Sequence, residues 1–393
     1  MSWAGKGKVA VAGIGFSAIA RRSDDNLGKL AFDAADVALR DAGLEPGQVD
    51  GLGTYIMGPV GRDGIDSVSV DYFLKHYPLS KDFRWYSELS QGMIASAVIE
   101  GVNAIISGMA HYVLVWRAMH NPPDRPYNQS TARQAAGDSQ FSLPYGQAAI
   151  YQWHAMAYRR YMHLHGATRE EMATLTTQQR RNANLNERAH FRDTPLTFED
   201  YMNARYIAEP LCLFDCDIPV EGCAAFVLTS AERARDLRNP PAYIAACAQQ
   251  TSGGRRQLVS YILDDHMACG GTLANQLWRD SGLGPSDMGV AELYDGFSPS
   301  TYYWLEAAGF CAQGEAHSFI QDGRIELTGE LPVNTFGGSL SEGRLHGMGH
   351  LAEAALQVTG RAGPRQVAGC ETACAIDGSP LLRGSGVVFT AVP

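Results

Sequence analysis

Residues 292–298 read Glu-Leu-Tyr-Asp-Gly-Phe-Ser and gather a phenol, two carboxylates and a hydroxyl into one short stretch. An apolar, strand-like run, Met288-Gly-Val-Ala-Glu-Leu, leads into it, and Thr301–Gly309 reads as a helix that stops at the glycine. A polar cluster between a strand end and a helix start is where α/β proteins tend to place chemistry. Tyr294 is the residue that could move a proton there, with Glu292 and Asp295 able to orient the loop. A free tyrosine titrates near pH 10, so it needs help from its surroundings to act as a base. A buried tyrosine is more often structural than catalytic, and the rest of the chain has to decide.

The second such stretch is Asn334–His350, rich in Gly, Asn, Ser and Thr. It reads as a loop in which backbone passes close to something, followed by a helix over Leu351–Gly360. The N-terminus of that helix would offer amide donors to an anion or oxyanion. His346 and His350 have i, i+4 spacing, but Gly347 and Gly349 argue against a helix there and so against a metal site.

The positioning elements come from a repeat. Residues 40–55 and 279–294 match in register at Arg40/Arg279, Asp41/Asp280, Gly43/Gly282, Leu44/Leu283, Pro46/Pro285 and Tyr55/Tyr294. Both spell a helix, a glycine stop, a proline turn and a strand. The repeat favours a duplicated chain and puts Tyr294 where a strand of the second half meets a loop. The halves divide as residues 1–240 and 241–393, with 231–240 as the hinge. The first half carries a loop and helical excursion at about 118–207.

Within the first half, Lys8–Gly15 reads as a buried strand. Gly13-Ile14-Gly15 does not read as a dinucleotide loop, because Arg21–Asp25 intervenes before the next helix. Ser23 is the expected N-cap of that helix, whose apolar face is Leu27, Leu30, Ala31, Ala34 and Ala38. Residues 90–107 read as a largely apolar helix ending at Gly108, and His111–Trp116 as the next strand. Arg159, Arg160, Arg180 and Arg181 read as a solvated helix face, with contact to coenzyme phosphates as the other reading. Gly222–Thr229 and Ala242–Cys247 read as strands, and Gln366–Cys370 and Gly386–Thr390 as the two that close the chain.

The chain has 393 residues, 45% apolar and 19% charged, as expected for a soluble two-domain or duplicated fold. A formal charge of −10 argues against nucleic acid as the main partner, but not against an anionic coenzyme. None of the eight cysteines forms a Cys-x-x-Cys pair, no signal-peptide pattern opens the sequence, and no uninterrupted apolar run suits a membrane span. The expectation is a cytoplasmic protein with reduced thiols.

Arg279–Gly282, Glu292–Ser298, Asn334–Gly347 and Asp217–Thr229 together resemble the thiolase superfamily, nearly end to end. The nearest groups are the sterol-carrier-protein-type thiolases and the thiolase-like steroid side-chain aldolases of the lipid-transfer-protein family. The resemblance implies an α/β fold of two duplicated βαβαβαββ halves in α-β-α-β-α layers. Thiolases use a nucleophilic Cys at the start of the buried first-half helix, a position that falls near Gln91 here. Residues 86–96 contain no Cys. Tyr294 stands at the family's His or Asn position and Arg344 at the His of its Gly-His-Pro segment. Steroid aldolases of this type share Tyr294 but tend to carry a second Tyr where this chain has Arg344. Cys370 and Cys374 are the candidates near the C-terminus for a second family Cys.

Without thiolate and base there is no acyl-enzyme, so thiolysis or Claisen condensation is the disfavoured outcome. The resemblance implies instead a retro-aldol cleavage of a β-hydroxyacyl-CoA. Tyr294 would take or relay the β-hydroxyl proton, with Arg344 lowering its pKa. Backbone amides of Gly337–Gly347 and Arg344 would hold the enolate, and His346 or a water would return a proton to Cα. Gln91, Asp295, Phe297, Asn334, Gly337, Gly338 and Gly347 are the expected substrate-binding positions. No bound cofactor is implied; coenzyme A arrives as part of the substrate. The implied partners are a second copy of the chain and a small OB-fold and zinc-ribbon protein. Tyr294, Phe297, Tyr302, Tyr303, Trp304 and Phe336 would suit a bulky apolar acyl group such as a steroid side chain, or could be core. The alternative function is a non-catalytic acyl-CoA- or lipid-binding subunit of a larger complex.

Overall fold

A computed structural model describes residues 3–56, 68–90, 92–120, 134–251 and 265–393. The first half runs β1 (Val9–Phe16), α1 (Leu27–Ala42), β2 (Gly51–Tyr55), α2 (Val70–His76), β3 (Trp85–Leu89), α3 (Ile94–Ile106) and β4 (Tyr112–Met119). An excursion follows, with α4 (Ile150–His165), α5 (Arg169–Asn184), α6 (Phe198–Met202) and the short pair β5 (Tyr206–Ala208) and β6 (Leu211–Cys212). It returns to β7 (Gly222–Ser230) and α7 (Ala231–Ala234). The second half is β8 (Ala242–Thr251), α8 (Asp265–Ser281), β9 (Val290–Leu293), α9 (Ser298–Ala307), α10 (Ala316–Phe319), α11 (Gly338–Ser341), α12 (Met348–Val358), β10 (Thr372–Ser379) and β11 (Arg383–Thr390).

Nine strands form one sheet among the described residues, in the order β3-β2-β4-β7-β1-β8-β11-β10-β9. Outward from the centre, β1, β7, β4 and β2 are mirrored by β8, β11, β10 and β9. The halves join where β1 pairs antiparallel with β8, through Ala10–Tyr243 and Val11–Ala242. Beyond β9, where β3 would have its counterpart, Val333 makes a single parallel bridge to Ala291. The repeated turn takes the same shape twice: Gly43 (φ 74°) and Gly282 (φ 71°) both end their helices left-handed, which glycine adopts without strain.

Burial explains the layering. Nearly the whole surface of α3 and all of α12 are buried, which suits helices enclosed between two sheet halves. Alternate strand residues face them: Val113, Val115, Phe226 and Leu228 from the first half, Val290, Ala375, Val387 and Phe389 from the second. The intervening residues face outward. Leu114, Trp116 and Val227 pack under α1 and α2, and Leu293, Cys374, Ile376 and Val388 under α8 and α9. Each fully buried large side chain contributes about 1.5–3 kcal/mol. The result is the α-β-α-β-α stack. Gly13 and Gly15 lie in β1 where an added Cβ would sit 2.2 Å from Ala38 O and 2.1 Å from Ala34 O. They let α1 close onto the sheet, and no phosphate-binding turn forms there.

Several sequence expectations shift. The N-cap of α1 is Asn26, whose side chain accepts from Lys29 N, not Ser23, which accepts from Asp25 N. The buried helix starts at Ile94 rather than residue 90, and the last helix at Met348 rather than Leu351. Gln366–Cys370 is turn and 3₁₀ backbone, and the strand begins at Thr372. Arg159 and Arg181 are exposed, paired with Glu209 and Glu326. Arg180 is buried instead: its guanidinium lies 3.8 Å from the Phe191 ring centroid and donates to Ser341 Oγ and Thr194 O. Tyr302, Tyr303, Trp304 and Phe336 are fully buried core residues, so of the aromatic set only Tyr294 and Phe297 reach the cavity described next.

Candidate active site

A cavity of about 150 Å³ opens where the strand ends of the two halves converge. Tyr55 from the end of β2 and Tyr294 just past β9 bring the two repeat tyrosines to its wall. His346 lies between them, stacked on Tyr55 (centroids 5.6 Å apart) and edge-on to Tyr294 (6.1 Å). Arg344, Phe297 and Met93 add to the lining, as do Gly378, Ser379 and Arg383 from the β10–β11 turn. The structure thus brings together Tyr294, Arg344, His346 and Phe297. Gln91 lies outside the described residues; Met93, two positions on, is the N-cap of α3 and lines the cavity.

The remaining expected substrate-binding positions have internal partners and lie off this wall. Asp295 is fully buried; its carboxylate accepts from Ser339 N (2.8 Å), Leu340 N (3.3 Å) and His350 Nε2 (3.0 Å). Asn334 pairs with Leu293 as a strand neighbour would, accepting from its N–H (2.7 Å) and donating to its carbonyl (2.9 Å). Gly337 (φ 103°) packs against Ala183 and Gly338 (φ 64°) against Asp295. Gly347 packs against Asp377 and Ile94. The loop amides expected to hold an enolate are engaged too: those of Gly337, Glu342, Arg344 and Leu345 donate to Asn334, Gly338, Ile218 and Gly343 carbonyls. Charge stabilisation therefore falls to side chains.

Those side chains are cationic or neutral donors. Arg117, at the end of β4, is buried behind His346 and donates to Tyr55 O (2.6 Å). Its Nη2 lies 3.4 Å from His346 Nδ1. A guanidinium can only donate, so Nδ1 is the acceptor and the imidazole proton sits on Nε2. Burial, with the Arg117, Arg344 and Arg383 charges adding, holds His346 well below the usual imidazole range. It is a neutral donor, and cannot act as an imidazolium acid. Burial also pushes the Arg117 guanidinium down to about 10.

Tyr294 departs from the sequence expectation. Arg344 does pull its pKa down, but burial and the Asp217 carboxylate outweigh it, and the phenol is held well above 10. Tyr294 stays protonated. His154, stacked on Phe297 at 4.4 Å, is pushed down to about 3 by burial and stays neutral.

Sequence reasoning passed over Asp217. Its carboxyl is buried in the cavity wall, with Oδ2 3.9 Å from Arg344 Nε and Oδ1 without a hydrogen-bond partner. Burial pushes it up to about 7, against the Arg344 charge and with Asp295 adding. The signal was a third acidic residue in the apolar run Glu209–Glu221. Arg117 had a similar one, a charge at the end of a buried strand. No cysteine lines the cavity: Cys370 precedes β10, and Cys374 points from β10 into the outer core. Burial pushes the Cys370 thiol up to about 12 and the Cys374 thiol higher still. Among the described residues no helix is long and apolar enough to cross a membrane.

Residues 267–388 match the family model for the thiolase C-terminal domain. The chain is 37% identical to a 17-hydroxy-3-oxo-4-pregnene-20-carboxyl-CoA lyase of Mycobacterium tuberculosis, over 90% of this chain and 92% of that protein. It is 38% identical to a steroid side-chain-cleaving aldolase of Thermomonospora curvata, over 90% and 91%. Among solved structures, an Ltp2-ChsH2(DUF35) aldolase superimposes with a TM-score of 0.86 at 36% identity, covering 98% of each chain. The mirrored strand order, the paired tyrosines and a cavity without a thiol agree with these relatives. The chain belongs to the thiolase superfamily, within its thiolase-like steroid side-chain-cleaving aldolases.

Proposed function

We propose that the protein cleaves a β-hydroxyacyl-CoA, with a steroid side chain as its acyl group, by retro-aldol reaction to a ketone and a shortened acyl-CoA. One observation carries the reading: a phenol, a guanidinium and a neutral imidazole share a cavity that holds no thiol. A retro-aldol step needs a route for the β-hydroxyl proton and stabilisation of the enolate, but no covalent intermediate. Tyr294, kept protonated, relays the hydroxyl proton rather than resting as a phenolate. The Cα–Cβ electron pair moves into the thioester enolate. His346 Nε2–H and the Arg344 cation meet the developing oxyanion. Because His346 is a neutral donor, water supplies the proton that Cα finally takes.

Coenzyme A enters only as part of the substrate. The solved relative pairs an aldolase with a DUF35 protein. By analogy this chain works as a homodimer with a small OB-fold and zinc-ribbon partner that completes the acyl-CoA site, in the cytoplasm.

The test is mass spectrometry of a panel of β-hydroxyacyl-CoAs, tertiary alcohols included, with wild type and Tyr294→Phe and with the partner present. Wild type should yield a ketone and a shortened acyl-CoA, and Tyr294→Phe should lose about 10²–10⁴-fold in rate. No cleavage of any substrate by wild type that binds acyl-CoA would replace this reading with a binding role.

A further inference from the structure

A protonated tyrosine cannot be the final acceptor of the β-hydroxyl proton, so a base must stand within reach of the same cavity. We infer that Asp217, at the wall between the Tyr294 cavity and a second cavity, is that acceptor. The inference rests on the retro-aldol reading above.

Three observations place it. Asp217 lines the cavity with Tyr294, and its backbone N–H donates to Gly296 O (3.1 Å), which ties it to the Tyr294 loop. Its Oδ1 is buried and unpartnered while Oδ2 faces Arg344. A buried carboxylate oxygen without a donor is costly in a finished core, and its persistence here suits an oxygen that receives a proton during turnover. Asp217 is also common to the wall of a cavity of about 450 Å³ lined by Arg21, His190 and Arg205 among apolar residues. That second cavity gives the proton a way out that does not cross the reacting atoms.

The step balances. The β-hydroxyl O–H bond breaks and its electron pair becomes the ketone π bond. The Cα–Cβ pair becomes the enolate. The proton passes to Asp217 Oδ1, directly or across the Tyr294 oxygen. Water then protonates Cα, and Asp217 returns its proton to water in the second cavity. The charged and titratable groups facing Asp217 are Arg344 from the α11–α12 loop, Tyr294 and Asp295 from the β9–α9 loop, His154 from α4, and Arg21, His190 and Arg205 across the second cavity. Burial raises its pKa to about 7, which matches a base operating near neutrality.

The experiment compares kcat/KM against pH for wild type, Asp217→Asn and Asp217→Glu, all with the partner protein and one cleavable β-hydroxyacyl-CoA. Wild type should lose about tenfold per pH unit below about pH 7. Asp217→Asn should be slower by about 10²–10⁴-fold and flat with pH, while still binding an acyl-CoA that lacks the β-hydroxyl. Asp217→Glu should recover part of the rate and the acid limb. An Asp217→Asn enzyme within about threefold of wild type, or one that keeps the wild-type acid limb, overturns the assignment while cleavage itself stands. If Asp217→Asn does not fold, the wild-type profile decides: a flat profile from about pH 5.5 to 8.5 overturns it. A wild type that cleaves nothing overturns the retro-aldol reading, and this inference with it.

Discussion

Gly296→Ala tests whether the position of the Tyr294 ring matters. A Cβ at 296 would stand 2.8 Å from Tyr294 Cε1, 3.0 Å from its Oη and 3.1 Å from Cζ. Carbon atoms in favourable contact lie about 3.5–4.0 Å apart, so the ring must withdraw by roughly 0.5–1 Å. It has room, because it borders the cavity, and Gly296 does not adopt the left-handed backbone that would strain alanine. The fold should therefore keep its thermal midpoint within a few degrees. A displacement of that size at a reacting group costs on the order of 100-fold, or about 2.7 kcal/mol of barrier. Steady-state cleavage should show the loss in kcat with KM changed little. The double variant Tyr294→Phe/Gly296→Ala should be no slower than Tyr294→Phe, since both act through the same phenol. A Gly296→Ala enzyme with wild-type kcat, or additive losses in the double variant, would refute the reasoning.

Three further outcomes follow from the same geometry. His346→Phe keeps a ring between Tyr55 and Tyr294 but removes the Nε2–H; kcat should fall about 10²–10³-fold with little change in KM, and an unchanged kcat would remove His346 from the reaction. The unfolded Asp217 carboxyl ionises near 3.8 and the folded one at about 7, so stability falls as pH rises through that window and levels off above it. Asp217→Asn escapes this loss and should gain on wild type from about pH 4 to 7, by up to roughly 4 kcal/mol; denaturation midpoints that run parallel across the window would contradict it. Gly338→Ala places a Cβ 1.9 Å from Asp295 Oδ2 at a φ of +64° and should destabilise the protein by more than about 3 kcal/mol, read as a lowered thermal midpoint or loss of folded protein; a wild-type midpoint would show that the Asp295 turn is not rigid.

Local sequence carried the architecture because the relevant interactions are local. Gly43 and Gly282 stop their helices and Pro46 and Pro285 open the following turns, so the duplication could be read without knowing what the strands pair with. An apolar helix over the 94–106 stretch announces burial on all sides, which fixes it as an inner layer. The missing cysteine at residues 86–96 excludes covalent thioester chemistry by residue type alone. Tyr294 was legible for the same reason, a phenol at a strand end whose repeat partner is another tyrosine.

What only the tertiary structure decided is the electrostatics and the allocation of hydrogen bonds, because these depend on groups far apart in sequence. Arg117 and His346 are 229 residues apart, and their contact fixes which imidazole nitrogen carries the proton. Asp217 is ordinary in its own segment and becomes a base only where Arg344, Tyr294 and an enclosing wall surround it. Asp295 and Asn334 are polar residues in glycine-rich surroundings, which in sequence resemble binding groups. In the fold, loop amides and a strand edge occupy them first. Arg344 was expected to acidify Tyr294, and it does act in that direction. Burial acts more strongly in the other, since removing a phenolate from water costs more than one partly solvated cation returns. Sequence specifies which groups are present and how each segment folds; the sign of a charge's effect is set by what closes around it.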